Sequence, residues 1–531
     1  MLTPAFTEAE RKQMETLGVT EAQVLDQLEV FNKSAFYVRL NRPCTVGDGI
    51  HQVSAEDIPR YLDLHEEGVR KGRFSKFVPA SGAATRMFHS LLQIYYLPYF
   101  LEPGELHRKA EQGVSVAVDF LLFLENLKRF PFHEDLAKAV SNDGLSLSRM
   151  IEEHQYRLIL EYLLTEIGLA YGVLPKGLLK FHRYREECRT AFEEHLMEAV
   201  DFVGRGSSSC RIHFTVSPEH RRRFEELLEQ VGPLYEARLG ASYSVDFSLQ
   251  KPSTSTIAVD RDNRPFKDRS GQLVFRPGGH GALLENLNDL KGDLIYVKNV
   301  DNVAPDRLKG PIGHWKRILG GYLMEVQDQV HAYVRRLLSG IDRKTTEEVA
   351  AFAAERLLLQ FPRAFQDWPW ERKYVFLLGR LNRPIRVCGV VKNVGEPGGA
   401  PFWVEDKRRG LSIQIVEKAQ VRFTSSTQKK IWNASTHFNP VDLVCGVKDF
   451  EGRHFDLRRY VDHDAVFISE KSKDGRTLKA LELPGLWNGA MADWISVMVE
   501  VPRITFNPVK TVFDLLKPEH QAEAKHSETV V

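Results

Sequence analysis

Hydrophobic and polar positions along this chain follow two different periods, and the change of period predicts where helices and strands lie. Apolar residues between Leu17 and Leu28 recur at helical spacing, and the acid-rich stretch after Ser54 has the pattern of another helix. The segment KFVPASGAATRMFHSLL then has the pattern of a short apolar strand, a turn of small residues and the start of a helix. We therefore predict a helical N-terminal region over residues 1–72 and the entry into an α/β domain at residue 73.

Helical periodicity returns between about residues 88 and 170, and apolar strand-like runs alternate with amphipathic segments after it. CRIHFTV, YSVDFSLQ and DLIYVKNVDNV are typical of buried strands, and their alternation with helices is typical of a mostly parallel central sheet. A further helical segment covers about residues 311–380, and strand-like runs follow it. The sequence thus predicts one α/β domain over 73–516, interrupted by a helical insertion at 88–170, and a polar tail over 517–531.

Composition narrows the class of protein. A length of 531 residues suggests about two to four domains, and 43% hydrophobic with 27% charged residues is typical of a soluble globular protein. The 72 Lys and Arg against 71 Asp and Glu leave a net charge of +1, which does not favour binding to nucleic acid or to an anionic membrane. No apolar run has the roughly 18 residues of a membrane span, and the acidic, polar start is unlike a signal peptide. The five cysteines are scattered without a CxxC pair, so we expect a reduced, cytoplasmic protein.

The first segment with candidate chemistry is a turn of small residues that follows a predicted strand and opens a predicted helix. It consists of Ser81, Gly82, Ala83, Ala84, Thr85 and Arg86. Small side chains let backbone N–H groups approach a phosphate at a helix start, and Arg86 could add a charge-assisted contact. The turn matches neither GxGxxG nor GxxxxGKS/T, and a tight strand-to-helix turn with a solvated arginine also accounts for it.

Three later segments add candidate ligands, each with a plainer alternative. The glycine-rich loop with Gly279, His280 and Gly281 exposes backbone that a flat ring or a phosphate can approach, although it could be an ordinary turn. Asp301 follows an apolar strand at the edge where α/β sheets bind ligands, and a carboxylate there suits Mg²⁺, although it could simply cap the strand. Lys510 follows another apolar strand and could neutralise a phosphate or be solvated.

The order and combination of these segments resemble the UTP:sugar-1-phosphate uridylyltransferases (UDP-sugar pyrophosphorylases), which have a glycosyltransferase-A-like nucleotidyltransferase fold. PASGAATRM resembles the family's first phosphate turn, although Ala83 and Ala84 stand where glycines are usual. LPKGLLKFH resembles the later segment that brings a lysine, here Lys176, to the phosphates. RITFNPVKTVFDLL resembles the signature of the catalytic lysine, which falls on Lys510. The chain as a whole also resembles an uncharacterised bacterial family, domain of unknown function 4301.

The same resemblance assigns further residues to the base, the metal and the sugar. The residues expected at the base are Gln250, Gly279, His280 and Gly281. KNVDNV is similar to the family's Asn-x-Asp-Asn strand end, which makes Asp301 the Mg²⁺ or phosphate-side carboxylate. SIQIVEKAQV resembles the sugar-side strand and assigns Glu417, although Lys418 replaces a tyrosine. Two loops rich in Gly and Asn add Glu396 and Asn439 as candidate acceptor ligands, and such loops are also common for geometric reasons alone.

The resemblance implies a nucleotidyltransferase that uses Mg²⁺ and transfers a nucleoside monophosphate, most simply UMP from UTP, to a sugar 1-phosphate or similar acceptor. Pyrophosphate leaves in an in-line displacement, so the protein's task is positioning and charge neutralisation. Arg86 and Lys176 would hold the triphosphate, Asp301 with Mg²⁺ the α-phosphate, and Lys510 the incoming phosphate. The alternatives are a glycosyltransferase or cytidylyltransferase on the same fold and a catalytically degenerate nucleotide-binding protein. The sequence predicts no oligomeric state.

Overall fold

The structure, a computed structural model, describes residues 6–33, 37–97, 102–204, 209–340, 342–396, 398–406, 410–438 and 442–521. The chain divides into two compact units. The first comprises Met1–Phe77, Ser248–Val297 and Trp315–Arg503, and the second comprises Val78–Phe247, Lys298–His314 and Ile504–Val531. Each unit is assembled from separate stretches of chain, so these units do not coincide with the linear boundaries that the sequence predicts.

The α-helices are α1 (Glu8–Leu17), α2 (Glu21–Asn32), α3 (Ile58–Arg70), α4 (His89–Tyr96), α5 (Pro103–Glu111), α6 (Ser115–Glu125), α7 (His133–Asn142), α8 (Leu147–Glu152), α9 (Tyr156–Leu164), α10 (Ala191–Ala199), α11 (Arg221–Leu239), α12 (Leu284–Asp289), α13 (Asp306–Ser339), α14 (Arg343–Glu355), α15 (Trp370–Leu381) and α16 (Ser426–Asn433). None of the helices in the described ranges is long and apolar enough to span a bilayer.

The strands are β1 (Arg39–Pro43), β2 (Thr45–Val46), β3 (Gly49–His51), β4 (Phe74–Pro79), β5 (Lys180–Arg183), β6 (Cys188–Thr190), β7 (Cys210–Val216), β8 (Tyr243–Leu249), β9 (Thr256–Val259), β10 (Phe275–Arg276), β11 (Leu294–Val297), β12 (Ile385–Val390), β13 (Ala400–Asp406), β14 (Gly410–Val416), β15 (Asp442–Gly446), β16 (Phe467–Lys473), β17 (Arg476–Glu482) and β18 (Ile495–Glu500). Strands β1 to β3 lie inside the N-terminal region for which the sequence predicts helices. Pro43 interrupts helix formation there, and Gly47 and Gly49 adopt φ values of 83° and 101° that a helix does not allow.

The largest sheet of the first unit is mixed. Seven of its strands are hydrogen-bonded in the order β2-β3-β18-β12-β15-β11-β4. Neighbours run parallel except around β15, which is antiparallel to both β12 and β11. β15 starts at Asp442 opposite Gly389, near the end of β12, and therefore runs back along it. The protein is a mixed α/β structure with a large sheet and many helices, as the strand–helix alternation predicts, but this sheet is not uniformly parallel.

The N-terminal helices are part of the first unit's packing. Val24 and Leu28 of α2 are buried in one cluster with Ile257 of β9 and Leu481 of β17. A second cluster, which includes Cys388 and other buried residues of β11, β12 and β15, covers the large sheet. The apolar side of α2 is therefore part of the hydrophobic core of the first unit.

The second unit holds the segment that the sequence predicts as a helical insertion, and α4 to α9 lie in it. Its core is aromatic: Phe130 and Phe132 stack at 5.1 Å between ring centres, and Phe132 meets Tyr171 edge-on at 5.3 Å. β5 and β6 form an antiparallel pair in the same unit, and α10 follows β6 directly.

Candidate phosphate site and associated residues

In the second unit the structure brings together three residues that the sequence singles out. Lys176 Nζ donates a hydrogen bond to Asp301 Oδ2 at 2.8 Å. Lys510 Nζ lies 3.0 Å from the same oxygen and 3.2 Å from Asp301 Oδ1. One carboxylate thus faces two ammonium groups, which leaves one net positive charge when both lysines are protonated. An excess positive charge at a partly open site suits a phosphate group.

Backbone hydrogen bonds hold the two segments of this cluster against each other. Val509 N–H donates to the Asp301 carbonyl at 3.0 Å, and Asn507 N–H donates to Asn302 Oδ1 at 2.9 Å. Lys176 Nζ also donates to the Val509 carbonyl at 2.7 Å. The Asn-x-Asp-Asn and Pro-Val-Lys-Thr segments that resemble family motifs are therefore joined directly.

The backbone at Lys510 is held by a residue to which the sequence motifs assign no role. Asp514 Oδ2 accepts hydrogen bonds from Lys510 N–H at 2.8 Å and from Thr511 N–H at 2.7 Å. Burial alone would raise the pKa of Asp514, but Lys517 and these N–H groups outweigh it and lower the pKa. The spacing of Thr511 and Asp514 is that of a capping box, which is the sequence signal that could have identified Asp514.

The two lysines of the cluster differ in burial. The side chains of Lys176 and Asp301 are 12% and 10% exposed, whereas that of Lys510 is 57% exposed. Burial lowers the pKa of Lys176, and the attraction of Asp301 offsets this only in part. Burial would raise the pKa of Asp301, but Lys510 and Lys176 outweigh it and lower that pKa. The Lys176 side chain is thus held by its contacts in a buried position, and the Lys510 side chain is within reach of solvent.

The predicted phosphate turn lies beside the segment that carries Lys176. Ala83 and Pro175 form an antiparallel bridge, and Lys176 N–H donates to the Gly82 carbonyl at 3.3 Å. Two of the predicted phosphate-binding segments are therefore neighbours within the second unit.

The 81–86 turn differs from a simple phosphate-binding turn between a strand and an α-helix. Ala84 is buried, and its N–H donates to the Leu174 carbonyl at 3.0 Å, so this N–H is already engaged. The chain forms a short 3-10 helix over Ala84–Arg86, and the α-helix begins later, at His89. The remaining residues of the turn are exposed or half-buried, and they are Ser81, Gly82, Ala83, Thr85 and Arg86.

In the first unit the glycine-rich loop packs closely against the segment after β17. A Cβ atom at Gly281 would lie 2.1 Å from the Pro484 carbonyl oxygen, so only glycine fits there. Gly279 has a φ of 74°, which also favours glycine. Gln250 Nε2 lies 3.4 Å from Thr254 Oγ1. The structure thus explains the two glycines by packing and conformation.

His280 and Glu417, which the sequence assigns separately, meet in the first unit. Leu486 N–H donates to His280 Nδ1 at 3.0 Å, so in the neutral ring Nε2 carries the proton. That Nε2 lies 3.8 Å from Glu417 Oε1. Burial lowers the pKa of His280, while burial and the neighbouring Glu482 raise the pKa of Glu417. Trp487 stacks on His280 at 5.2 Å between ring centres, a contact that no sequence signal indicates.

The two remaining acceptor residues do not join this group. Glu396 forms an ion pair with Arg503, and its N–H donates to Asn393 Oδ1 at 3.0 Å. Asn439 lies outside the described residues.

The side-chain donor atoms of the structure show what kind of Mg²⁺ site they could form. Among the described residues, no group of three or more His, Cys, Asp or Glu side chains is arranged to hold a metal ion. Both oxygens of Asp301 face lysine ammonium groups. Mg²⁺ often binds proteins through one carboxylate while substrate phosphates complete its shell. Asp301 therefore fits a metal that arrives with phosphates and does not fit one held by protein groups alone.

Comparisons with known proteins give similar solved structures and one family match. Similar solved structures include the UDP-N-acetylglucosamine pyrophosphorylase of Trypanosoma brucei, at 12% identity and a TM-score of 0.46, covering 96% of this chain and 79% of that one. They also include the UDP-glucose pyrophosphorylase of Leishmania major, at 13% identity and a TM-score of 0.43, with the same coverage. At these TM-scores the likeness decides neither fold nor activity. A search of curated proteins gives no match. The family model described as "Domain of unknown function (DUF4301)" matches residues 7–521, and the chain therefore belongs to the DUF4301 family.

Proposed function

We propose that this protein is a nucleotidyltransferase of the sugar-nucleotide pyrophosphorylase type with a glycosyltransferase-A-like fold. It would transfer a nucleoside monophosphate, most simply UMP from UTP, to a sugar 1-phosphate or a similar phosphorylated acceptor. The observation that carries the proposal is the cluster in which Lys176 and Lys510 share the carboxylate of Asp301.

This arrangement suits phosphoryl chemistry better than acid–base or nucleophilic chemistry. Two cations at one point neutralise the charge of adjacent phosphates, and the buried Asp301 keeps them in place before substrate arrives. Lys176, fixed by its contacts to Asp301 and Val509, is suited to the triphosphate. Lys510 has an exposed side chain and is suited to the incoming phosphate.

The reaction would proceed in line and without a covalent enzyme intermediate. An oxygen of the acceptor phosphate attacks the α-phosphorus, and the bond from that phosphorus to the bridging oxygen breaks. Pyrophosphate leaves with the electron pair of the broken bond. Arg86 and the exposed part of the 81–86 turn would contact the triphosphate, while Lys510 would offset the repulsion between the two reacting phosphates.

Base and sugar recognition belong to the same proposal. We assign the base to Gln250 and the loop of Gly279, His280 and Gly281 because these residues resemble the base-binding segments of the uridylyltransferases. Glu417 would accept hydrogen bonds from sugar hydroxyls. The acceptor roles of Glu396 and Asn439, the preference for UTP and the cytoplasmic location stay predictions.

Mg²⁺ is also part of the proposal. Asp301 would supply its one protein oxygen and the substrate phosphates the others. When bound, the metal would neutralise charge on the phosphates.

One observation favours the nucleotide-binding alternative without turnover. The Ala84 N–H, which a phosphate turn would offer to its ligand, already donates to the Leu174 carbonyl. A protein that binds a nucleotide as a signal would tolerate this loss more easily than an enzyme that must orient a triphosphate.

The test begins with thermal shifts of the purified protein in UTP, CTP, GTP, ATP, dTTP and a preformed nucleotide sugar, each with and without Mg²⁺. A ligand at about a hundred times its Kd adds about 2.7 kcal/mol of stability. The triphosphate that shifts the protein is then assayed for pyrophosphate release with a panel of sugar 1-phosphates. Lys510→Ala should slow release by about 10²- to 10³-fold. Lys180→Ala, which removes a lysine paired with Asp135 at 3.4 Å outside the cluster, should retain it.

The outcomes separate the candidate functions. Pyrophosphate release that needs both Lys510 and an acceptor supports the proposal. Triphosphate binding without release with any acceptor supports the nucleotide-binding alternative. A shift with a preformed nucleotide sugar alone supports a glycosyltransferase and refutes the proposal.

A further inference from the structure

Helix α10 is buried along its whole length, although its sequence AFEEHLMEA carries three glutamates and a histidine. Burying charged groups costs free energy unless each has a partner. Glu193 accepts from Tyr235 Oη at 2.8 Å, and Glu194 contacts His182, Tyr184 and Lys309. His195 and Glu198 instead contact the segment that ends in Asp301. These two residues are three apart and therefore lie on one face of the helix.

His195 holds the peptide that immediately precedes the catalytic carboxylate. Its Nε2 lies 3.1 Å from the carbonyl oxygen of Val300. A carbonyl oxygen only accepts hydrogen bonds, so Nε2 carries the proton and donates. The Val300 carbonyl belongs to the peptide group that links Val300 to Asp301. Its orientation sets where the Asp301 backbone lies.

Glu198 holds the start of the same segment. Its two carboxylate oxygens lie 2.8 and 3.1 Å from Lys298 Nζ, and both side chains are buried. His195 Nδ1 lies 3.5 Å from Glu198 Oε1, so the two α10 side chains also contact each other. One helix face thus anchors the segment at Lys298 and again at Val300.

The two anchors act on the cluster through the backbone. The Asp301 carbonyl accepts the Val509 N–H at 3.0 Å, and Lys510 follows Val509 in the chain. A shift of the 298–301 segment would therefore move the carboxylate away from Lys176 and loosen the segment that carries Lys510. Misplacement of reacting groups by about 1 Å can cost about 100-fold in rate.

We propose that His195 and Glu198 are positioning residues that hold Asp301 where it can organise Lys176 and Lys510. The expected effect of these two residues on catalysis rests on the proposed function. The support of the Asp301 backbone by α10 is a structural claim that does not depend on the proposed function.

The test compares three variants of the full-length protein. His195→Phe keeps a ring of similar size and removes the donor, while His195→Gln keeps an N–H donor. Tyr235→Phe is the matched control, because it removes a buried hydrogen bond to Glu193 on the same helix without touching the 298–301 segment. Hydrogen exchange of the Val509 amide and steady-state kinetics are measured for each variant.

We expect His195→Phe to raise the exchange rate of the Val509 amide about tenfold, as the loss of one supporting hydrogen bond implies. Its kcat for pyrophosphate release should fall about 10- to 100-fold, while KM for the triphosphate stays within about twofold. His195→Gln should recover most of both effects. Tyr235→Phe should lower Tm and leave Val509 exchange and kcat unchanged.

A double variant guards against misfolding of His195→Phe. Glu198→Gln combined with Lys298→Met removes both charges of the other anchor together, so that neither charge is left facing a neutral partner. It should raise Val509 exchange as well.

Unchanged Val509 exchange in the folded variants would overturn the proposal, as would equal changes in His195→Phe and Tyr235→Phe. If the wild-type protein turns over no triphosphate, the proposed function fails, and the exchange data still decide whether α10 positions Asp301.

Discussion

Replacing Asp301 by asparagine is expected to destabilise the second unit as well as to stop turnover. Lys176 is the partner that matters for folding, because its side chain is buried and its Nζ lies 2.8 Å from Asp301 Oδ2. Lys510 matters less, because more than half of its side chain is exposed and water screens the attraction. Asp301→Asn therefore leaves one buried ammonium group without a counter-charge.

The magnitude follows from the burial of the pair. Loss of one partner of a buried ion pair costs about 3–5 kcal/mol. Lys176 keeps its hydrogen bond to the Val509 carbonyl at 2.7 Å, and asparagine still offers an oxygen. We therefore expect the low end, a loss of about 3 kcal/mol in the free energy of unfolding. Lys176→Met leaves Asp301 beside Lys510 and should cost about 2 kcal/mol.

The double variant Asp301→Asn with Lys176→Met separates pairing from other effects. Neither charge of the buried pair is left without its partner in the double variant, so its free energy of unfolding should fall by about 3 kcal/mol. The two single losses add up to about 5 kcal/mol, so the coupling energy between Asp301 and Lys176 should be about 2 kcal/mol. Urea unfolding followed by circular dichroism, with the exchange of the Val509 amide as a local probe, measures all four proteins. A surface pair at 3.4 Å serves as the control, since Lys180→Met with Asp135→Asn should show a coupling below about 1 kcal/mol. A coupling energy between Asp301 and Lys176 within about 0.5 kcal/mol of zero would refute the conclusion that this buried pair stabilises the fold.

Three further predictions follow from single contacts. Lys510→Ala should lower kcat for pyrophosphate release by about 10²- to 10³-fold, while the free energy of unfolding changes by less than about 1 kcal/mol because the side chain is exposed. Burial lowers the folded pKa of Lys176, so between that pKa and the unfolded value of about 10.4 the unfolded chain binds more protons at this group, and its contribution to stability rises with pH. The stability of Lys176→Met relative to the wild-type protein should therefore fall as pH rises through that range, as urea unfolding at a series of pH values would measure. Gly281→Ala places a Cβ 2.1 Å from the Pro484 carbonyl oxygen and should cost about 1–3 kcal/mol and weaken triphosphate binding, as urea unfolding and calorimetry would measure.

Each of these has a control on the same chain. Lys180→Ala should retain turnover, and Lys180→Met should keep the same stability difference from the wild-type protein across the pH range. Gly379→Ala lies in α15 with no atom within 4 Å of the new Cβ, so it should not destabilise the protein. Full turnover in Lys510→Ala, an unchanged pH dependence in Lys176→Met, or wild-type stability in Gly281→Ala would each contradict the corresponding assignment.

The sequence alone located the parts of the candidate site but not their partners. Lys176, Asp301 and Lys510 were identified because their segments resemble family motifs, and the structure places the three together. The capping spacing of Thr511 and Asp514 is the one local pattern that points to Asp514.

Other features had no local signal. No local pattern distinguishes Trp487 from an ordinary packing residue, because its stacking on His280 depends on the fold around the glycine-rich loop. The polar residues of α10 likewise give no sign in the sequence of which segment each one contacts.

Periodicity and composition therefore determined the mixed α/β class, the helical stretch of α4 to α9 and the order of the motifs, because these depend on residues a few positions apart. Only the tertiary structure decided the antiparallel direction of β15 and the strands at residues 39–51. It also brought together the three residues of the candidate site, since Lys176 and Lys510 lie 125 and 209 residues from Asp301 in the chain. Charge pairing and pKa depend on distance and burial, and both arise only when distant segments pack together.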